Sequence, residues 1–242
     1  NPSPAYYQDL PSYFLADDDG PDYEGAYISQ QNFINNGQIN WNRIYDANLT
    51  NNQANLNAAY VLYEDRVDDT QLTINSAYNR EINENIKVTA SANYRNLVSD
   101  NFAEISDMLG GYSYSNIDSF DYLDYNLLSP NSIVSEGDKF KYHYKMNAEE
   151  MSLFSMINFS FNKLEFYVAG DITNTTYQRD GIFENEANAG NSAGKGDEIS
   201  FDGYGVKAGI TYKFSGKHIL DFNSAYLQKA PSIRNTFTNS RV

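Results

Sequence analysis

The chain contains no cysteine, so it has neither a disulfide framework nor a thiolate metal centre. Long apolar runs are missing too. Mean hydropathy is −0.60, and no segment approaches the roughly 18 apolar residues of a transmembrane helix. Positive charge is scarce: 17 Lys and Arg stand against 32 Asp and Glu, a net charge of −15. That balance argues against nucleic acid as a partner, because phosphates need a basic surface. It also argues against docking onto an anionic lipid surface by charge alone. The chain starts at Asn1 with no initiator Met and no charged-then-apolar leader, so it reads as a processed product or a piece of a longer chain. Catalytic signatures are absent as well. There is no GxSxG, no HExxH and no GxxxxGK[ST] around the GKG at 194–196, so the chain is not expected to be an enzyme.

What is present is a repeated pattern. Residues 71–79 alternate apolar and polar, turn through 80–85, and alternate again over 86–96. The same happens at 151–161, turning through 162–163 into 164–172, and at 204–214, turning through 215–217 into 218–228. Each is a β-hairpin. Val88, Ala90, Leu164, Phe166, Val168, Val206 and Ile210 fall on the apolar faces. The opposite faces carry Gly, Lys, Arg, Glu and Asp. Residues 151–161 are less regular, because Phe154 and Met156 oppose Leu153, Ile157 and Phe159. Long polar segments, 97–150 and 173–202, separate the hairpins. Short turns on one side and long loops on the other are the pattern of an outer-membrane β-barrel. Its strands keep a low mean hydropathy because only alternate side chains meet lipid. Aromatics make up 15% of residues, with 21 Tyr, which suits membrane interfaces. A soluble β-sandwich that binds glycans also alternates, and a small closed barrel with a structural or adhesive role has the same local pattern. Residues 48–57 are Asn-rich and read as loop. Residues 39–48 read as a short helix or turn, and 56–63 as a strand running on toward Val67.

Candidate ligand groups are few. Asp17, Asp18, Asp19 and Asp22 sit in DDDGPDYEG. Oxygen-rich loops can hold Ca²⁺, but this run lacks EF-hand spacing, and a solvated acidic loop is the plainer reading. Tyr112, Tyr114, Tyr122 and Tyr125 stand among Asp residues in one long polar segment. Tyrosine with aspartate suits stacking on sugar rings and hydrogen bonds to hydroxyls, and it suits an ordinary surface loop equally. His143, in KFKYHYK, is a conceivable haem ligand, and His218 falls in a short turn.

Five local motifs occur in order: NPSPAYYQDLPSYFL at 1–15, INWNRIYDAN at 39–48, YVLYEDRVDD at 60–69, DMLGG at 107–111 and KAPSIRNTF at 229–237. Together they resemble the barrel region of TonB-dependent receptors, within the subgroup that carries an N-terminal carboxypeptidase-like regulatory domain. The resemblance spans nearly the whole chain. It implies an all-β fold, antiparallel hairpins that form part of a large transmembrane barrel of 22 strands with long extracellular loops. It further implies a bacterial outer-membrane location and TonB-coupled uptake of a siderophore, haem, cobalamin, glycan or peptide. The implied partners are outer-membrane lipid, a plug domain, the TonB complex and, in some relatives, a surface lipoprotein lid. No plug, TonB box or barrel-closing terminal strand is recognisable, so residues 1–242 are expected to be about a third of such a barrel. No functional residue of the family carries over to a position here.

Overall fold

The computed structural model describes residues 10–16 and 20–237. Among the described residues three helices precede the sheet: α1 (Pro11–Leu15), α2 (Tyr23–Asn35) and α3 (Trp41–Gln53). Asp22 starts α2 by accepting from the Gly25 amide at 2.9 Å, and Asn40 starts α3 by accepting from the Arg43 amide at 3.1 Å. Both are ordinary side-chain N-caps.

The strands are β1 (Leu62–Asn83), β2 (Ile86–Asp107), β3 (Tyr114–Ser115), β4 (Ile133–Val134), β5 (Lys139–Ser160), β6 (Leu164–Gly181), β7 (Gly194–Lys195), β8 (Ile199–Ser215) and β9 (His218–Gln228). The main sheet is antiparallel, in the order β1-β2-β5-β6-β8-β9, with β7 paired to β6. β3 and β4 form a separate small ribbon. The main sheet is open, ending at β1 on one side and β9 on the other. A short helix α4 (Ile233–Thr236) follows. The chain is thus mostly antiparallel β.

All three expected hairpins form, but their strands are far longer than the alternation suggested. The 97–150 segment is strand at both ends, leaving 108–138 as the connection, and the 173–202 segment leaves only 182–198. His218 opens β9 opposite Ser215 rather than lying in the turn. The 56–63 strand starts only at Leu62. No register slip underlies the irregular 151–161 stretch. β5 pairs with β2 without a shift from Phe159 up to His143, so Phe154 and Met156 do point away from the apolar face. The tight turns gather at one end of the sheet and the two long connections at the other.

Candidate functional site

Register decides which side chains share a face, since residues directly opposite each other in a ladder point the same way. One row runs Val88, Ile157, Val168, Ala208. The next toward the turns is Ile86, Phe159, Phe166, Ile210, Phe222. The next toward the loops runs Ala90, Ser155, Gly170, Val206, Tyr226, and then Ala92, Leu153, Ile172, Tyr204. Every residue assigned from sequence to an apolar face lies on this one continuous surface. It is the uncovered side of the sheet: Val168 is 52% exposed and Val206 56%, whereas Ala169, facing the other way, is 4% exposed.

The band has edges. Aromatic rings mark its turn end, with Phe159 stacked on Phe166 at 4.5 Å and Tyr212 edge-on to Phe214 at 6.2 Å. At the loop end Tyr204 lies 6.0 Å from Tyr226. Along β8 the outward side chains from Tyr204 to Phe214 span about 34 Å at ~3.4 Å per residue.

The buried core lies elsewhere, past the loop end of the band. Ala103, Ile105, Met108, Val134 and Phe140 pack there with Ala58. Tyr63 and Tyr114 meet the Phe140 ring edge-on at 5.3 and 6.0 Å. Asn48 of α3 ties this cap together. It is fully buried, and its Nδ2 donates to the carbonyls of Tyr60, Met108 and Leu109 at 2.8, 3.0 and 3.1 Å. Its Oδ1 accepts from the amides of Ala59 and Tyr60 at 2.9 and 3.1 Å. INWNRIYDAN, YVLYEDRVDD and DMLGG therefore converge on one side chain. The Asn-rich stretch expected to be loop is largely helix, and its asparagines bind neighbouring backbone: Asn51 Nδ2 donates to Asn57 O and Asn52 Nδ2 to Gly110 O.

The four candidate tyrosines separate. Tyr112 and Tyr122 are each 80% exposed. Tyr114 packs on Phe140, and burial holds its hydroxyl above the usual tyrosine range. Tyr125 donates to Asp118 Oδ2 at 3.0 Å, and burial, then that carboxylate, raises it further still. The 118–123 turn is built by Asp118 and Asp121 accepting from the amides of Phe120 and Leu123, so these acids serve their own loop. The two long connections are also joined: Leu127 N donates to Glu184 O at 2.7 Å, and Asp124 N to Glu186 Oε2 at 2.7 Å.

His143 lies on the outward face above the band, where Nε2 sits 2.8 Å from Asp100 and 3.2 Å from Lys139 Nζ. The ring is wedged between Phe102 and Phe183, both at 5.6 Å. Burial, aided by Lys139, lowers the His143 pKa despite Asp100. Asp100 is also lowered: burial opposes its charge, but hydrogen bonds from His143 and Lys139 outweigh it. A ring so enclosed is a structural contact here, not an open axial ligand. Of the acidic run, Asp17, Asp18 and Asp19 lie outside the described residues, and Asp22 is engaged as the cap of α2. Among the described residues no group of three or more His, Asp or Glu is arranged to hold a metal ion. No protein-family model, curated protein or solved structure matches the chain.

Proposed function

We propose that this chain is part of the barrel of a TonB-dependent outer-membrane receptor and serves ligand uptake. One observation carries the reading: the sheet's broad apolar face is bare, while the packed core is confined to the cap beyond it. A soluble sandwich would bury that face under a second sheet, and no described residue covers it. Lipid is the environment in which such a face is stable. The bare edges β1 and β9 then join further strands of the same barrel, since a barrel leaves no edge unpaired. The inner face lines the lumen, where a plug domain would sit. The cap of α3 and the 108–138 connection stands outside the membrane, where ligand or a surface lipoprotein meets the receptor first. Tyr112 and Tyr122 are its free aromatic contacts.

The absence of cysteine from this chain suits a direct test. Spin labels at Leu153→Cys and Ser152→Cys, adjacent positions on opposite faces, report lipid and water contact in reconstituted protein. The reading expects the label at 153 to be reached by oxygen and shielded from a water-soluble relaxant, and the label at 152 to show the reverse. Water access at 153 equal to that at 152 overturns it.

A further inference from the structure

A pocket on the inner face is built by the chain's exit from β9. At Gln228 the backbone leaves the strand and crosses the sheet instead of continuing upward. Gly203 permits this: a Cβ there would stand 3.0 Å from Gln228 O and 3.6 Å from Lys229 Cα. Tyr177 fastens the crossing segment by donating to Pro231 O at 3.1 Å. The space beneath it is about 460 Å³, within the roughly 300–1,000 Å³ of small-ligand pockets.

Its charges have a definite order. Lys207 stands opposite Ala169, Asp171 opposite Gly205, and Thr173 opposite Gly203, beneath Lys229. These rows are each two residues apart, about 6.8 Å, so Asp171 lies between two lysines. Asp171 folds over Gly205, whose missing side chain leaves it room. The fourth charge, Glu150, is already engaged by Arg95 at 3.3 Å. Asp171, Lys207 and Lys229 form no ion pair with any described residue. Hydroxyls of Ser152, Thr173 and Thr175 complete the lining.

We infer that this pocket binds a small zwitterion, such as a short unblocked peptide. Its ammonium sits at Asp171 and its carboxylate at Lys207 or Lys229. Opposite charges held apart and left unpaired discriminate by charge pattern, because a ligand lacking either end leaves one of them unmatched. A neutral sugar would use only the hydroxyls. The inference rests on the uptake reading, which makes this face the lumen wall.

The test is calorimetric titration of the native protein, reconstituted in lipid nanodiscs, with trialanine, N-acetyl-trialanine and trialanine amide. Saturable trialanine binding is expected. Blocking either end, or Asp171→Asn, or Lys207→Met combined with Lys229→Met, weakens it about tenfold, and Asp171→Asn no longer distinguishes trialanine from its N-acetyl form. Equal affinity for blocked and unblocked peptide, or no trialanine binding, overturns the inference. The spin label at 153 keeps the two claims apart. A lipid-exposed label without binding removes the pocket assignment alone. A water-exposed label removes the uptake reading whether or not the peptide binds.

Discussion

Asn48 Nδ2 donates to the carbonyl of Leu109 at 3.1 Å, across 61 residues of sequence. Leu109 adopts a positive φ of 50°, which a branched aliphatic residue seldom takes. The turn at DMLGG is held in that shape by Asn48 from one side and by Asp107, whose Oδ1 accepts from the Leu109 amide at 2.7 Å, from the other. Asn48→Ala removes a partner from the carbonyls of Tyr60, Met108 and Leu109 and from the amides of Ala59 and Tyr60, of which Met108 O keeps the Gly111 amide at 2.9 Å. The expected loss is about 3 kcal/mol of cap stability, given ~1–3 kcal/mol for each unsatisfied buried group and partial relief by water. Hydrogen exchange at Ala59 and Tyr60, whose amides Asn48 accepts, measures it. Unchanged protection at both amides would contradict this account of the cap.

The His143–Asp100 contact gives the cap a pH dependence with a definite sign. Both groups titrate lower in the fold than in the unfolded chain. The unfolded chain therefore binds protons first, and stability is lost as pH falls. The histidine contribution is complete above its ordinary pKa of about 6.5 and declines as pH drops below that value. The carboxylate contribution is lost at more acid pH, below about 3.9. The amides of Ile182 and Phe183 both donate to His143 O, so their exchange should accelerate on acidification beyond the intrinsic rate. In His143→Gln the dependence near pH 6 should vanish. An NMR titration that puts His143 above an ordinary histidine would reverse the prediction.

Much of this was legible in the sequence, for physical reasons. Within the band one face is apolar and the other polar, so Tyr204 to Phe214 displays the two-residue period plainly. Above the band that contrast disappears. Lys139 to Glu150 carries polar groups on both faces, and β5 bulges between Phe140 and His143, where Lys141 takes a positive φ of 62°, so the period that would identify a strand is lost although the strand continues. Asparagine's weak helix propensity hid the later half of α3, where Asn48 and Asn52 are bound to backbone distant in sequence and Asn51 to the carbonyl of Asn57. Composition grouped the four tyrosines, and only the three-dimensional packing separates Tyr114 and Tyr125 from Tyr112 and Tyr122. The charge order of Lys207, Asp171 and Lys229 depends on register and on a chain crossing, neither of which a sequence pattern shows.

That separation of tyrosines is measurable. Tyr125→Phe removes the hydroxyl that donates to Asp118 Oδ2 and leaves the carboxylate with one bond fewer, at a cost of about 1 kcal/mol. Tyr122→Ala removes a ring that is 80% exposed and should stay within about 0.5 kcal/mol of wild type. Thermal unfolding of the two variants, side by side, gives the comparison. An equal loss in both would mean that Tyr122 is packed in solution.

Gly181 closes β6 where the chain enters the 182–198 connection. A Cβ there would collide with the backbone carbonyl of Ser192 and with the Arg179 guanidinium. Backbone cannot swing aside as a side-chain tip can, so Gly181→Ala must move Ser192, which is itself fully buried. The expected cost is about 1–3 kcal/mol, the range for overpacking a tight site. It should appear as faster proteolysis within 182–198, with cleavage elsewhere unchanged. Gly190 and Gly137 have open space at the same test, but their positive φ of 80° and 86° makes them poor controls. Gly216, with open space and no positive φ, is the suitable one.

The sharpest energetic contrast lies across the sheet itself. Val168 is on the bare apolar face and Ser91 on the polar one, both in the middle of the band by register. Arginine at a lipid-facing midplane site of a barrel costs ~2–4 kcal/mol, while lumen-facing substitutions mainly alter selectivity. Val168→Arg should therefore lower stability by that amount in urea titrations of protein folded into phospholipid vesicles, and Ser91→Arg should change it by less than about 1 kcal/mol. In water the order would differ, because an arginine replacing an already exposed valine loses no hydration and would be close to neutral. The pair thus tests the environment of the face rather than its packing. A near-neutral Val168→Arg in vesicles would mean that this face meets water rather than lipid, and the outer-membrane reading would fall.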